Sequence, residues 1–194
     1  GLQSVTLPNN IIEISNGVFS SCRNLETLIL PEGITNIGVW AFYYCDNLTS
    51  IIFPKSLRSV GKEAFANCRL YSFDMGNGLQ TIGDYAFYRC SFDSVVVGNS
   101  VTNIGSRAFS ECRFLQKAFL SSSIEHIGSD AFTGNQLLES IYVPCGEIER
   151  FKEMLQKDST KVKYESSPYK LETYFKLVEN PNRRMTAFPS PIEV

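Results

Sequence analysis

Residues 34–54 read ITNIGVWAFYYCDNLTSIIFP, and this stretch sets the pattern for most of the chain. Its frame is Ile-x-x-Ile-Gly-x-x-Ala-Phe-x-x-Cys-x-x-Leu-x-x-Ile-x-Phe-Pro. The same frame begins again at Leu57, Leu79, Val101 and Ile124. An earlier copy starts at Ile11, with Ser15 in place of glycine and Val18 in place of alanine. A nearly constant period of this length is typical of stacked repeats.

Cysteine and phenylalanine mark equivalent positions in the copies. The cysteines, separated by 23, 23, 22 and 22 residues, are Cys22, Cys45, Cys68, Cys90 and Cys112. Three residues before them are Phe19, Phe42, Phe65, Phe87 and Phe109. In the sixth copy Phe132 is followed by Asn135, which takes the place of cysteine. The third and fourth copies lack one residue after the cysteine, which accounts for the shorter intervals and predicts a turn there.

Each copy predicts the same succession of local structures. Alternation in Ile51-x-Phe53 predicts one short strand per copy. The equivalent segments start at Leu2, Leu25, Leu48, Leu70, Phe92, Leu115 and Leu138. We expect these seven strands to form one continuous parallel sheet, spaced by about 4.8 Å. The Ile-x-x-Ile-Gly piece predicts a second extended segment, whose glycine allows a positive φ or a close approach to the neighbouring coil. Ala-Phe-x-x-Cys has helical spacing and predicts a single helical turn.

The segments after the repeats predict a cap. Ile148, Phe151 and Leu155 lie on one face of a predicted amphipathic helix, which would cover the open end of the last coil. We therefore divide the chain into a repeat array at 1–145, a cap helix with a closing strand at 146–164, and a segment at 165–194. The last segment is either a tail hairpin packed on the cap or the start of a further module. At the other end, residues 2–8 form only the strand half of a unit, so a longer array or a covering partner is expected.

The frame resembles the BspA-like, or Treponema pallidum-type, leucine-rich repeat over about residues 2–144. This resemblance implies an α/β repeat solenoid, a right-handed leucine-rich-repeat superhelix with one parallel sheet, short helical turns and a C-terminal capping helix. It also implies a secreted or surface-attached protein, mainly of host-associated bacteria. Family members with known roles are adhesins that bind extracellular-matrix proteins, other host proteins or other microbes. The resemblance implies no enzyme, and it does not extend to residues 165–194.

Composition excludes several functional classes. The 194 residues carry 18 basic and 20 acidic side chains, a net charge of −2, and Arg183-Arg184 is the longest basic block. This balance argues against a nucleic-acid interface or a polybasic membrane patch, and no membrane-spanning segment is expected. The single histidine, His126, excludes a zinc site with two histidine ligands. The positions equivalent to His126 in other copies hold ordinary polar residues, so His126 is expected to lie on a solvated edge. We therefore predict no catalytic site, metal site or cofactor.

Two interpretations of the cysteine column are possible. One is a disulfide or redox ladder, which an extracellular setting would permit. The other is a column of small buried hydrophobic side chains. We favour burial, because five stacked positions cannot all pair and Asn135 occupies the sixth. Cys145, near the cap, is either a free thiol or an intermolecular link.

The outward-facing positions of the strands form the candidate binding surface. Apolar side chains at such positions typically mark contact surfaces. The candidate partner-binding residues are Ile29, Ile52, Asp74, Val96, Phe119 and Tyr142. A column of mostly hydroxyl residues flanks them, and the alternative is that β-branched and aromatic residues simply favour parallel strands. A second aromatic cluster, serving packing between coils or between molecules, contains Trp40, Tyr43, Tyr44, Tyr85 and Tyr88.

These observations predict a non-enzymatic, adhesion-type module that recognises a host or microbial protein through its sheet face. The expected partner is an extracellular-matrix or other surface protein, and the expected location is extracellular or the cell surface. A passive spacer within a larger surface protein is the alternative. An enzyme would need a pocket with paired carboxylates, which no repeat column supplies.

Overall fold

The structure is a computed structural model that describes residues 1–164, with the backbone alone at 72–74 and 164. In chain order its strands are Ser4–Thr6 (β1), Glu13–Ile14 (β2), Thr27–Ile29 (β3), Asn36–Ile37 (β4), Ser50–Ile52 (β5), Ser59–Val60 (β6), Ser72–Asp74 (β7), Thr81–Ile82 (β8), Ser94–Val96 (β9), Asn103–Ile104 (β10), Lys117–Phe119 (β11), His126–Ile127 (β12), Ser140–Val143 (β13) and Val162–Tyr164 (β14). The helix α1 is Ile148–Leu155, and a 3₁₀ helix follows at Gln156–Lys161. The predicted parallel-strand solenoid is confirmed, and the predicted tail at 165–194 lies outside the described residues.

The strands β1, β3, β5, β7, β9, β11 and β13 are here called the outer strands. They pair in parallel, but their sheet is interrupted. They form three groups, β1-β3, β5-β7 and β9-β11-β13-β14, so the predicted single continuous sheet is wrong. Strands of three residues offer few ladder hydrogen bonds to each neighbour, and a small twist between coils is enough to break the pairing. The second extended segments, here called the inner strands, instead form a continuous parallel sheet of six strands, in the order β12-β10-β8-β6-β4-β2.

A glycine follows five of the six inner strands and allows two coils to approach closely. A Cβ added to Gly61 would lie 2.8 Å from the carbonyl carbon of Gly38 and from the amide nitrogen of Val39. Real Cβ atoms essentially never come this close to backbone, so a larger residue would push the coils apart. Of the two roles predicted for these glycines, Gly61 therefore serves close approach, and positive φ angles fall on other residues.

The predicted helical turn is a series of tight turns. Ala41, Tyr43 and Cys45 each donate a backbone hydrogen bond to the residue three positions earlier, at 3.2–3.3 Å. Trp40 and Tyr44 both have a φ of +56°, and a left-handed residue interrupts a right-handed helix. The helical interpretation was wrong because these residues are not glycines and leave no signal of a left-handed conformation in the sequence.

These turns also connect neighbouring coils. The N–H groups of Trp40, Phe42 and Tyr44 donate to carbonyl oxygens within residues 62–66 of the next coil, at 2.8–3.0 Å. Equivalent bonds recur along the array, for example from Phe87 to Ala108 at 2.9 Å. Each coil is therefore tied to the next along the inner strands and the turns, and within each group also along the outer strands, which makes the array rigid.

A column of stacked phenylalanine rings fills the centre of the solenoid. Successive rings lie 5.1–5.5 Å apart with interplanar angles of 2–14°. The stacked residues are Phe19, Phe42, Phe65, Phe87, Phe109 and Phe132. Aromatic pairs of this kind contribute about 0.5–1.5 kcal/mol beyond the burial of their area. The column therefore supplies both the apolar core and a fixed register between coils.

The helix α1 closes the C-terminal end of the array, as its amphipathic pattern predicts. Phe151 and Leu155 are buried and Ile148 is half-buried against the core. Arg150 anchors the helix, because its guanidinium group donates to the carbonyl oxygen of Ile124 at 2.6 Å and pairs with Glu147. After the 3₁₀ helix, β14 adds to the edge of the outer sheet beside β13.

Candidate functional site

The outward column of the outer strands, here called the sheet face, comprises Thr6, Ile29, Ile52, Asp74, Val96, Phe119 and Tyr142. Backbone pairing sets its register, with Thr6 beside Ile29, Ile52 beside Asp74, and Val96, Phe119 and Tyr142 in line. In parallel strands paired in this register, side chains of one column point to the same side. For Asp74 the structure describes only the backbone.

Two members of the sheet face are strongly exposed. Ile29 is 82% exposed and Ile52 is 69% exposed, although both are large aliphatic residues. They occupy the same position in β3 and β5, which lie side by side in adjacent coils. The hydroxyl residues Thr27 and Ser50, at the starts of these strands, are also exposed. The pair therefore forms an apolar centre bordered by hydrogen-bonding groups on a rigid backbone.

The aromatic half of the predicted site, Phe119 and Tyr142, differs from expectation. Phe119 is only 4% exposed, so its prediction as a solvent-facing residue was wrong. Its ring stacks on that of Tyr142 at 5.0 Å with an interplanar angle of 11°, which removes one ring face from solvent. Tyr142 and Val96 are half-buried. Of the predicted apolar residues, Ile29 and Ile52 are thus the most accessible to a partner.

Four cysteines of the column, Cys45, Cys68, Cys90 and Cys112, are buried and form hydrogen bonds between coils, whereas Cys22 is half-buried. Each thiol from Cys45 onward donates to the carbonyl oxygen of the phenylalanine in the preceding coil, at 3.0–3.3 Å. The amide of Asn135 donates to Phe109 in the same way, at 2.9 Å. All six cysteines are free thiols, and the burial of four of the five in the column agrees with the interpretation as buried residues. Cys145 is exposed.

The acidity of the buried thiols argues against nucleophilic use. Burial raises the pKa of Cys112 to about 12 and raises that of Cys68 and Cys90 well above the ordinary value. Cys45 is different, because a hydrogen bond with the Cys68 thiol lowers its pKa. A thiol reacts as its thiolate, and these sulfurs are also enclosed by neighbouring coils. The column therefore holds coils together.

The part of the chain that the structure describes contains no assembled catalytic or metal-binding group. His126 lies exposed on β12. Among residues 1–164, no three side chains of His, Cys, Asp or Glu are grouped to hold one metal ion. No helix of the described region has the length and apolar character needed to cross a bilayer. We find no arrangement there that would support catalysis.

A groove on the turn side of the solenoid was not predicted. It has a volume of about 400 Å³ and crosses four coils. Its lining residues are Tyr44, Asp46, Asn67, Cys68, Arg69, Arg89, Cys90, Ser91, Glu111, Arg113 and Phe114. A signal was present in the sequence, since Arg69 and Arg113 directly follow cysteines of the column. The groove joins residues of different copies, such as Arg69 and Arg113, which are 44 positions apart, so the repeat frame alone does not predict it.

One member of the second aromatic cluster, Tyr44, lines this groove. Tyr43 and Tyr44 meet edge to face with ring centroids 4.6 Å apart, and Tyr85 and Tyr88 meet in the same way at 5.6 Å. Desolvation raises the pKa of Tyr43. Trp40 is 47% exposed. The rings thus pack mainly within their own coils, and Trp40 leaves a large aromatic surface open to solvent.

Comparisons with known proteins place the chain in a family. The sequence profile of the BspA type leucine rich repeat region matches six copies, over residues 1–91 and 37–163. Among curated proteins, none matches the chain. A solved leucine-rich repeat protein from Bacteroides ovatus is 28% identical with a TM-score of 0.67, and the match covers 73% of this chain and 41% of that one.

Two further solved structures share the architecture. The leucine rich repeat protein of T. pallidum is 26% identical with a TM-score of 0.67, covering 84% of this chain and 85% of that one. A leucine rich cell surface protein from Faecalibacterium prausnitzii is 21% identical with a TM-score of 0.59, covering 74% and 49%, and shares the fold alone. The chain spans less than half the length of the B. ovatus protein. Since the profile extends over residues 1–163, the chain belongs to the BspA-type leucine-rich repeat family.

Proposed function

We propose that this chain is a non-enzymatic protein-binding module of the adhesion type, which recognises a host or microbial surface protein through its sheet face. The observation that carries the proposal is the exposure of Ile29 and Ile52, at 82% and 69%, in adjacent coils. Aliphatic side chains that serve only strand packing become covered by their neighbours, whereas these two remain in solvent. Adjacent exposed apolar residues with a polar border are typical of a contact surface.

The rigidity of the backbone supports the same proposal. Two lines of hydrogen bonds, through the inner strands and through the turns, hold the coils that carry Ile29 and Ile52, whose own strands β3 and β5 belong to different groups. A preformed surface loses little conformational entropy when it binds, so a few buried side chains are enough for useful affinity. Burial of apolar surface contributes about 25 cal/mol per Å². In this proposal the two isoleucines are the anchors, and the hydroxyls of Thr27 and Ser50 supply specificity.

The family and its relatives support the location that the proposal includes. The F. prausnitzii relative is called a leucine rich cell surface protein, and a further relative, 19% identical, is the pneumococcal vaccine antigen PcpA. In this proposal the chain is part of a secreted or cell-surface protein. The partner in the proposal is an extracellular-matrix or other surface protein.

A pull-down tests the proposal against its alternative, the passive spacer. The chain is immobilised and exposed to a panel of purified extracellular-matrix proteins, alongside the double variant Ile29→Ser/Ile52→Ser. We expect the wild type to retain at least one protein that the double variant does not. Leu137→Ser is the control, because Leu137 is also half-exposed, at 49%, but lies in a turn. Retention of no protein would favour the spacer, and equal retention by the wild type and both variants would show that binding does not use the sheet face.

An enzyme remains without support from the geometry. The groove on the turn side contains two carboxylates, Asp46 and Glu111. They belong to coils three apart, so their backbones lie about 14 Å apart at the usual strand spacing. Paired carboxylates of glycosidases lie about 5–9.5 Å apart. The groove therefore offers no two carboxylates from one coil or from adjacent coils.

A further inference from the structure

We propose that the groove on the turn side is a second binding surface, which takes an extended acidic peptide segment. It lies on the turns between the cysteine column and the outer strands, apart from the sheet face. Three arginines line it, Arg69, Arg89 and Arg113, one from each of three successive coils. Nothing in the proposed sheet-face function uses them.

The arginines are available to a ligand. Arg69, Arg89 and Arg113 are exposed, and none forms an ion pair or side-chain hydrogen bond within the described residues 1–164. Arginines elsewhere in the array are occupied: Arg58 donates to backbone carbonyl oxygens, and Arg107 pairs with Asp130 at 3.7 Å. A guanidinium group presents paired donors that match a carboxylate. The groove therefore concentrates unused donors for carboxylates.

The backbone holds these donors at a defined spacing. Arg69 and Arg113 each follow a buried cysteine and lie two coils apart, about 10 Å at the strand spacing of 4.8 Å. A polyproline II peptide advances about 9.3 Å in three residues and returns to the same side. Acidic residues three positions apart would therefore reach both arginines. Arg89, with a φ of +58° and its guanidinium 5.0 Å from the Tyr88 ring centroid, lies in the coil between them.

The rest of the lining favours a peptide over a densely charged polyanion. The carboxylates of Asp46 and Glu111 also line the groove and would repel a continuous row of sulfates or phosphates. Asn67 offers an amide to a peptide backbone, and the exposed ring of Phe114 offers an apolar contact. Aromatic residues and arginine are the types that supply most energy in protein interfaces. Spaced carboxylates on a peptide satisfy all of these groups.

The test uses fluorescently labelled peptides and anisotropy at low ionic strength. We expect (Glu-Pro-Pro)₃ to bind the chain, and (Gln-Pro-Pro)₃ to bind at least about tenfold more weakly, a difference of about 1.4 kcal/mol. The double variant Arg69→Gln/Arg113→Gln should lose the same preference. Lys55→Gln/Lys163→Gln removes the same charge at exposed positions outside the groove and should keep it. Circular dichroism melting of each variant checks that the fold is retained.

Several results would overturn the proposal. Equal affinity for the glutamate and glutamine peptides would show that the arginines do not recognise carboxylates. An equal loss in the two double variants would show that only net charge matters. A heparin hexasaccharide that binds more tightly than (Glu-Pro-Pro)₃, and loses affinity in the arginine variant, would identify a polyanion site instead.

Discussion

The thiol of Cys68 donates a hydrogen bond to the carbonyl oxygen of Phe42 in the preceding coil, with 3.0 Å between sulfur and oxygen. The N–H of Cys68 donates to the carbonyl oxygen of Phe65, in its own coil, at 3.2 Å. One cysteine therefore closes a turn in its own coil through its amide and ties that turn to the previous coil through its thiol. This dual role explains why a small side chain with a donor recurs at this position.

Cys68→Ala is expected to lower the free energy of unfolding by about 1–2 kcal/mol, because the bond between coils is lost and a small cavity remains. Cys68→Ser should recover part of the loss, since its hydroxyl can donate to Phe42. Urea denaturation measures both values. A serine variant less stable than the alanine variant would contradict the role of the thiol as a donor.

The stability of the chain should fall at alkaline pH. Burial raises the pKa of Cys112 from 9.0 to about 12 in the folded state. Between these two values the unfolded chain releases a proton that the folded chain retains, so unfolding becomes easier as the pH rises. The contribution of the protonated Cys112 thiol to the free energy of unfolding is fully present below about pH 9 and is lost as the pH rises towards 12. Denaturation between pH 8 and 10.5 should show this decline, and Cys112→Ala should reduce its slope; an unchanged slope would count against the assignment.

Gly83→Ala is expected to destabilise the array by about 3 kcal/mol or more, through a clash between coils. An added Cβ would lie 2.7 Å from the carbonyl carbon of Gly61 and the amide nitrogen of Lys62. Gly33→Ala is the matched control, because its Cβ would have only an ordinary contact, 3.4 Å from the carbonyl oxygen of Ile11. Thermal melting compares the two. Similar melting temperatures would show that the coils are not in close contact at Gly83.

The left-handed turn positions allow a comparison of two adjacent serines. Ser21 has a φ of +60°, whereas Ser20 is not left-handed, and both are exposed. Ser21→Gly should raise stability by about 0.5–1 kcal/mol, because a left-handed conformation costs a non-glycine residue about 1–2 kcal/mol and the gain in chain entropy offsets part of it. Ser20→Gly should lower stability by a similar amount. Chemical denaturation giving the same sign for both variants would refute the assigned turn.

The repeat frame was sufficient to predict the solenoid, its core column and its cap. Phe42 and Cys45 recur with their period because each position meets its own copy in the next coil, so one alignment of the chain with itself defines the stacking. The cap helix followed from the spacing of Ile148, Phe151 and Leu155. These features depend on local pattern and on a single repeated contact, which a sequence displays directly.

Other features depend on contacts that the frame does not encode. Left-handed φ angles at Trp40 and Tyr44 are imposed by hydrogen bonds to the next coil, and their side chains gave no sign of them. The burial of Phe119 depends on its stack with Tyr142, a pairing specific to two coils. The groove on the turn side combines non-repeated residues from several coils. Such sites differ between copies, so a period cannot reveal them.

The measurement that tests the account most directly is the affinity of the sheet face for the matrix protein that the pull-down retains. Surface plasmon resonance would compare the wild type with Ile29→Ser/Ile52→Ser and with Leu137→Ser at matched ionic strength. The double variant lacks two aliphatic anchors that would become buried in the complex, so we expect its dissociation constant to be at least about tenfold higher. The Leu137 variant should bind as the wild type does. Equal affinity for all three proteins would contradict recognition through the sheet face.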